Sequence, residues 1–195
     1  MEQTKQSSAL QVFWIGAKLL LICAIVAGVV SFVYSLTADA YAQNEQNTKN
    51  QAIGKIFGFS ETPPTEELKG GNVEETVYKV MDANGNTVGY CVEVASAGFG
   101  GDIKLMVGYN AACEILGVEV VAHSETPGLG AKVKEASFLD QFKAKVDQLT
   151  VSKDGSGDID AIVGATISST AVTEGVNKAS DSLQRVLSEN GGAIR

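Results

Sequence analysis

Histidine and cysteine are nearly absent from this chain, whose 195 residues hold one His and three Cys. His123 on its own gives no basis for a Ser-His-Asp triad. Cys23, Cys91 and Cys113 lie far apart with no C-x-x-C pair. One chain therefore cannot close a zinc site or a four-cysteine iron–sulfur cluster. Cys91 and Cys113 either pair in an oxidising compartment or are two small buried hydrophobes, the more ordinary fate of cysteine. A Lys/Arg cluster is missing too. The 15 basic and 23 acidic residues give a net charge of −8, which suits no nucleic acid, because that binding depends on neutralising phosphates. Proline is scarce, and the 45% apolar content with dispersed charge excludes a disordered chain. The length excludes a large multidomain enzyme and allows one domain plus an anchor.

The anchor is legible. Residues 12–36 form an apolar run, and Leu19 to Leu36 carries no charge. At 1.5 Å per residue those eighteen residues reach roughly 27 Å, close to a hydrocarbon core. Trp14 and Tyr34 flank the run as interfacial aromatics do, and the Lys18 stem can lie in lipid while its ammonium snorkels out. A cleaved signal peptide is the alternative, with Ala38-Asp39-Ala40 as a small-residue cleavage site. The run exceeds a usual signal core, which favours a retained membrane helix. Cys23 lies mid-run behind bulky Ile22, unlike a lipobox. Residues 1–37 hold two Lys and one Glu, so the remainder carries 13 basic and 22 acidic residues, net −9. The positive-inside bias places residues 1–11 in the cytoplasm and the acidic bulk outside. Ala24, Ala27, Gly28 and Ser31 put small residues on neighbouring turns, where another membrane helix can pack.

Beyond the span, residues 37–70 read as a stalk or linker with a short helix. Ile53, Ile56 and Phe57 are its one apolar face, and Pro63-Pro64 and Gly70-Gly71 bracket an acidic loop. Residues 71–195 read as one α+β domain. Val73–Met81 and Val88–Val94 alternate around the turn Asp82-Ala83-Asn84-Gly85, and Ile103–Tyr109 and Ile115–Ala122 alternate around Asn110-Ala111-Ala112. The pattern predicts antiparallel β-hairpins. Phe138, Phe142 and Val146 at i, i+4, i+8, with Leu139 and Leu149 nearby, predict a helix. A last helix from about Ser168 to Asn190 carries the stripe Val172, Val176, Ala179, Leu183 and Val186, ended by Gly191-Gly192.

Two constellations carry chemistry. In the first, a short apolar run ends in Gly164-Ala165, and Thr166, Ser168 and Ser169 open the last helix. Small residues let another body approach the backbone, and a helix start favours an anion such as phosphate. Plain N-capping is the competing role of these hydroxyls. The second is His123-Ser124-Glu125-Thr126-Pro127-Gly128-Leu129-Gly130-Ala131-Lys132, after a strand. Pro127-Gly128 predicts a type II turn, Gly128 and Gly130 expose backbone around an outward Leu129, and Lys132 can meet a phosphate or carboxylate. An ordinary strand-to-helix loop is the competing reading. Other motifs fail. Gly128-Leu129-Gly130 has Val133 where a dinucleotide fingerprint needs glycine, and Lys132 lacks Walker spacing. Asp154-x-Ser156-x-Asp158 has Ile159 and Ala165 where a calcium loop needs Gly and Glu.

The pair ETPGLG and GAT-x-S, about 35 residues apart, resembles the covalent-flavin domain family shared by the Rnf complex and the sodium-pumping NADH:quinone reductase. The likeness runs over roughly residues 10–190. The compact length is closer to the G subunits of Rnf than to the longer C subunits of the quinone reductase. The resemblance implies FMN held through a phosphoester to Thr166 and attached from FAD by a flavin transferase. It implies Gly164, Ala165 and Ser168 beside that site, and the 125–132 loop as a wall. There Leu129 gives apolar contact, and Glu125 and Thr126 are polar partners for the phosphate, ribityl chain or ring. It further implies an electron relay rather than a complete enzyme, within a membrane complex that couples ferredoxin oxidation and NAD reduction to Na⁺ or H⁺ transport. The implied partners are the other membrane and peripheral subunits and lipid. One position departs from the family pattern, Val163 standing where Ser or Thr is usual; the acceptor hydroxyl is kept. The alternatives are the flavin subunit of a quinone reductase, a scaffold subunit without flavin, and a non-redox, membrane-anchored extracellular binding module.

Overall fold

A computed structural model of the chain describes residues 3–146, 148–153 and 155–191, with side chains from Val12 onward except that of Asp39. Asp154 of the Gly/Asp-rich loop and Gly192 of the helix-ending pair lie outside the described residues. The chain gathers into two compact units that divide between Gln46 and Asn47, and helix α1 (Gln3–Phe57) contributes to both.

In the first unit α1 is apolar from Val12 to Ala38, 27 residues long and apolar enough to cross a membrane. The first Pro in the chain is Pro63, so nothing breaks the helix before the second unit. Two of its hydroxyls are satisfied locally. The Ser35 hydroxyl donates to the Phe32 carbonyl at 2.8 Å, and the Thr37 hydroxyl to the Val33 carbonyl at 3.0 Å. Such back-bonding keeps a hydroxyl compatible with an apolar solvent.

The second unit is built on a five-stranded antiparallel meander in the order β1-β2-β3-β4-β5. The strands are β1 Thr65–Leu68, β2 Thr76–Met81, β3 Thr87–Ala97, β4 Asp102–Asn110 and β5 Ile115–Ala122. Both expected hairpins are present. The first turn is held by Asp82, whose carboxylate accepts the N–H groups of Asn84 and Asn86 at 2.8 Å each, with Gly85 at φ +83°. Strand β1 falls within the stretch expected to be an acidic loop. Thr-Glu-Glu-Leu shows no apolar alternation because it is an exposed edge strand, where charge is tolerated and discourages further pairing.

Period-2 alternation sends residues to two faces. Val77, Val92, Val94, Leu105 and Val107 meet helix α3 (Thr166–Glu189), whose stripe Val172, Val176, Ala179, Leu183 and Val186 is wholly buried. Val80, Cys91 and Met106 face the other way, against Ala52, Ile53, Ile56 and Phe57 from the end of α1. A side chain at Gly108 would collide with an Ile56 methyl and approach Phe57 Cε2 at 3.2 Å, so the bare backbone there is the seat of the helix. Lys49–Glu93 at 2.9 Å and Lys55–Glu119 at 2.6 Å flank that seat.

The segment after β5 departs from its periodicity. The short helix α2 covers only Ala136–Leu139, a 3-10 turn covers Asp140–Phe142, Lys143 is extended and Ala144 is left-handed at φ +59°. The predicted helix ends early because its backbone finds the start of β5. Ala144 N–H donates to the Ile115 carbonyl at 2.8 Å, and Ile115 N–H donates to the Lys145 carbonyl at 3.1 Å. Phe138 and Phe142 still enter the core edge to face, with centroids 5.6 Å apart, while Val146 is exposed. The parallel pair β6 (Val151–Ser152) and β7 (Ile159–Asp160) leads into α3. Cys91 lies buried under α1 and Cys113 packs on the α3 side; both are free thiols.

Gly108→Val is expected to undock the end of α1 and to cost about 1–3 kcal/mol, as overpacking does. Hydrogen exchange should rise in residues 50–57 and stay unchanged in α3. Unchanged exchange at 50–57 would contradict this packing.

Candidate functional site

Three segments converge at one end of the sheet. The β3–β4 turn spans residues 98–101, the chain leaving β5 supplies residues 123–130, and residues 161–165 enter α3. The first two meet because Ala97 pairs with Asp102, and Lys104 pairs with Ala122. A pocket of about 410 Å³ lies between them, lined by Phe99, Glu125, Thr126, Leu129, Gly130, Gly164, Ala165, Thr166, Ile167 and Ser168.

Both sequence constellations therefore form one site. Thr126-Pro127-Gly128-Leu129 makes the expected turn, with Gly128 at φ +79° and Leu129 N–H donating to the Thr126 carbonyl at 3.2 Å. Leu129 is pushed outward, half exposed, over Gly164. Gly130 is buried where any side chain would strike Glu125 Oε2 and the Ser168 hydroxyl. Gly128 serves the turn and Lys132 sits on a 3-10 helix (Gly130–Lys134); neither lines the pocket. Val163 is 94% exposed and also off the lining, so the departure at this position leaves the pocket wall unchanged.

The three hydroxyls at the start of α3 differ sharply. Ser168 is buried and donates to Glu125 Oε2 at 2.7 Å. Ser169 is buried, accepts Ile162 N–H at 3.0 Å and donates to the Ala165 carbonyl at 3.0 Å, pinning the incoming loop to the helix. Thr166 is half-buried, lines the pocket and has no hydrogen-bond partner for its hydroxyl among the described residues. No side chain caps the helix at Ala165, so the expectation of plain N-capping gives way. The first-turn N–H groups stay available to an anion.

Glu125 is buried, with 5% of its surface exposed. Burial alone would raise its pKa. Hydrogen bonds from the Ser168 hydroxyl and from the Gly100 and Phe99 N–H groups, with nearby His123, outweigh that and hold the carboxyl below the usual glutamate range. The His123 ring itself accepts Glu125 N–H at Nδ1, 3.2 Å away.

Phe99 and Ile167 are pocket residues that the sequence patterns did not single out. Phe99 is 70% exposed and stands alone among Gly98, Gly100 and Gly101, and a lone aromatic in a glycine turn is the signal that marks it. Ile167 lies off the buried stripe of α3 and is 56% exposed.

A carboxyl with a lowered folded-state pKa stabilises the fold above its unfolded pKa, and that stabilisation is lost as pH falls through the folded value. Glu125→Gln is expected to lower stability at pH 7 by about 1–3 kcal/mol, the scale of hydrogen bonds to a charged group. The gap to the parent chain should close as pH falls below the ordinary glutamate range. Urea unfolding across pH measures this, and a gap independent of pH would contradict it.

The FMN-binding domain family matches residues 98–181, which contain all three converging segments. Over 184 residues the chain is 34% identical to the G subunit of the proton-translocating ferredoxin:NAD(+) oxidoreductase complex of Clostridium ljungdahlii, covering 93% of this chain and 95% of the relative. It is 32% identical to the G subunit of the Na(+)-translocating ferredoxin:NAD(+) oxidoreductase complex of Acetobacterium woodii, over 85% and 88% of the two chains. The crystal structure of the C subunit of the Na(+)-translocating NADH-quinone reductase from Parabacteroides distasonis shares the fold at 20% identity, with a TM-score of 0.61 over 76% of this chain and 96% of that one. A membrane-length apolar helix, an antiparallel α+β domain, and a pocket joining the Glu125 loop to Thr166 thus coincide with the family of the G subunits of ion-translocating Rnf oxidoreductase complexes, to which this chain belongs, with FMN as the cofactor of its domain.

Proposed function

We propose that the chain is the electron-carrying flavoprotein subunit of an Rnf-type ferredoxin:NAD oxidoreductase that drives Na⁺ or H⁺ across the membrane, with FMN esterified to Thr166. One observation carries the attachment site. Of the three hydroxyls opening α3, Ser168 and Ser169 are buried and committed, whereas Thr166 faces the pocket uncommitted.

The residues present fit a flavin phosphate and ring. The first turn of α3 offers N–H groups and the positive end of the helix dipole to an anionic phosphodiester. Phe99, Leu129 and Ile167 offer apolar surface on the pocket walls, and Thr126 a polar edge. FMN supplies the one- and two-electron chemistry when bound, while the protein sets its position and surroundings. Thr166 supplies the oxygen for a new O–P bond as the pyrophosphate bond of FAD breaks, releasing AMP and the hydroxyl proton. A separate flavin transferase performs that step on our reading, since the sequence carries no nucleotide-binding motif of its own.

The chain acts as a relay within a complex, not as a complete enzyme. Its span, in contact with lipid and with other subunits, holds the N-terminus in the cytoplasm and the flavin domain on the extracytoplasmic side, following the lysine bias at residues 5 and 18. A covalent link keeps the cofactor on a domain exposed to a compartment that cannot resupply it. A non-redox binding module would leave the uncommitted Thr166 and the apolar pocket without a role.

The test is the intact mass of the full chain co-expressed with a flavin transferase. A gain of one FMN less one water is expected, retained in Thr166→Ser and absent in Thr166→Ala. An unmodified parent chain beside an active transferase, or a modified Thr166→Ala, would overturn the assignment.

A further inference from the structure

One side chain, on the segment leaving β5, bonds both to the β3–β4 turn and to the first turn of α3. Glu125 Oε1 accepts Phe99 N–H at 2.8 Å and Gly100 N–H at 3.1 Å, and Oε2 accepts the Ser168 hydroxyl at 2.7 Å. Gly98 and Gly130 lie against the same carboxylate, where any side chain would collide with it. The surroundings thus replace water around a buried anion donor by donor, which is what makes its burial tolerable. They also fill both acceptor sites of Oε1 and one of Oε2 with protein donors. A carboxylate so occupied is poorly placed to bind a ligand, the role that the family resemblance implies for it.

We propose that Glu125 is a positioning residue of the flavin site: it clamps the β3–β4 turn to the first turn of α3, and contacts no part of the cofactor. The proposal rests on the reading of this pocket as the flavin site. The clamp fixes Phe99 on one wall relative to Thr166 on the other. It also occupies the Ser168 hydroxyl, which leaves Thr166 as the available acceptor. A glutamine in its place keeps an oxygen for the two N–H groups and an amide that can donate to Ser168, so it retains the clamp without the charge.

The test has two arms, both on the full chain in detergent. In the first, the chain made without transferase is followed by hydrogen exchange. Glu125→Ala should raise exchange at residues 98–101 at least tenfold more than Glu125→Gln does, and leave β4 unchanged. In the second, the chain loaded with flavin is followed by the fluorescence and midpoint potential of the flavin. Ser168→Ala, which deletes one hydroxyl and guards against a folding failure of Glu125→Ala, should shift both, as should Glu125→Ala; Glu125→Gln should restore the parent fluorescence. Parent-like exchange in Glu125→Ala, a parent-like flavin in Ser168→Ala, or Glu125→Gln behaving as Glu125→Ala would overturn the clamp. A parent chain that takes up no flavin would sink the flavin reading and leave the exchange arm to judge the clamp.

Discussion

The buried carboxylate of Glu125 is the constraint from which the geometry of the site follows. An anion removed from water needs donors in its place, and here they come from the β3–β4 turn and from α3. That demand explains why glycine stands at 98 and 130, against the carboxylate from two sides. It also explains the unequal hydroxyls at the start of α3. Ser168 is drawn inward to the carboxylate and Ser169 holds the entering loop, so Thr166 alone of the three brings an uncommitted hydroxyl to the pocket.

The fold supplies the rigid frame for that arrangement. The sheet is held between α3 on one face and the end of α1 on the other. Two of the three site segments emerge at the same end of the sheet because β3, β4 and β5 are consecutive antiparallel neighbours, and the third is held to α3 by Ser169. The long, fully packed stripe of α3 fixes where its first turn lies, and with it the end of the dipole that favours an anion. Loops on a rigid scaffold are a common way to build a binding site. On the proposed reading, this end of the domain carries the cofactor, and α1 ties the domain to a membrane complex.

Much of this is legible in the residues. Alternation marks β2 to β5, whose Val77, Val92, Val94, Leu105 and Val107 turn to one face, and the 172–186 stripe marks α3, which buries one side and leaves the other in water. Strand β1 is not legible, since an edge strand with exposed Glu66 and Glu67 has no buried face to write into its pattern. The helix expected around 138–146 is cut short because Phe138 and Phe142 are core residues at helical spacing, while the backbone after them pairs with Ile115 instead. The two site motifs stand out through glycines and hydroxyls. Their meeting, the inward turn of Glu125, and the part of Phe99 depend on contacts distant in sequence, which no local pattern records. Val163, where the sequence departs from the pattern it resembles, is exposed and outside the pocket lining.

The most direct measurement of the central claim is peptide fragmentation mass spectrometry on the loaded, full-length chain, reading which hydroxyl between Thr166 and Thr170 carries the flavin phosphoester. The expected result is a single modified residue, Thr166, with Ser168 and Ser169 bare. A phosphoester on Ser168 or Ser169, or one shared among the hydroxyls, would contradict it.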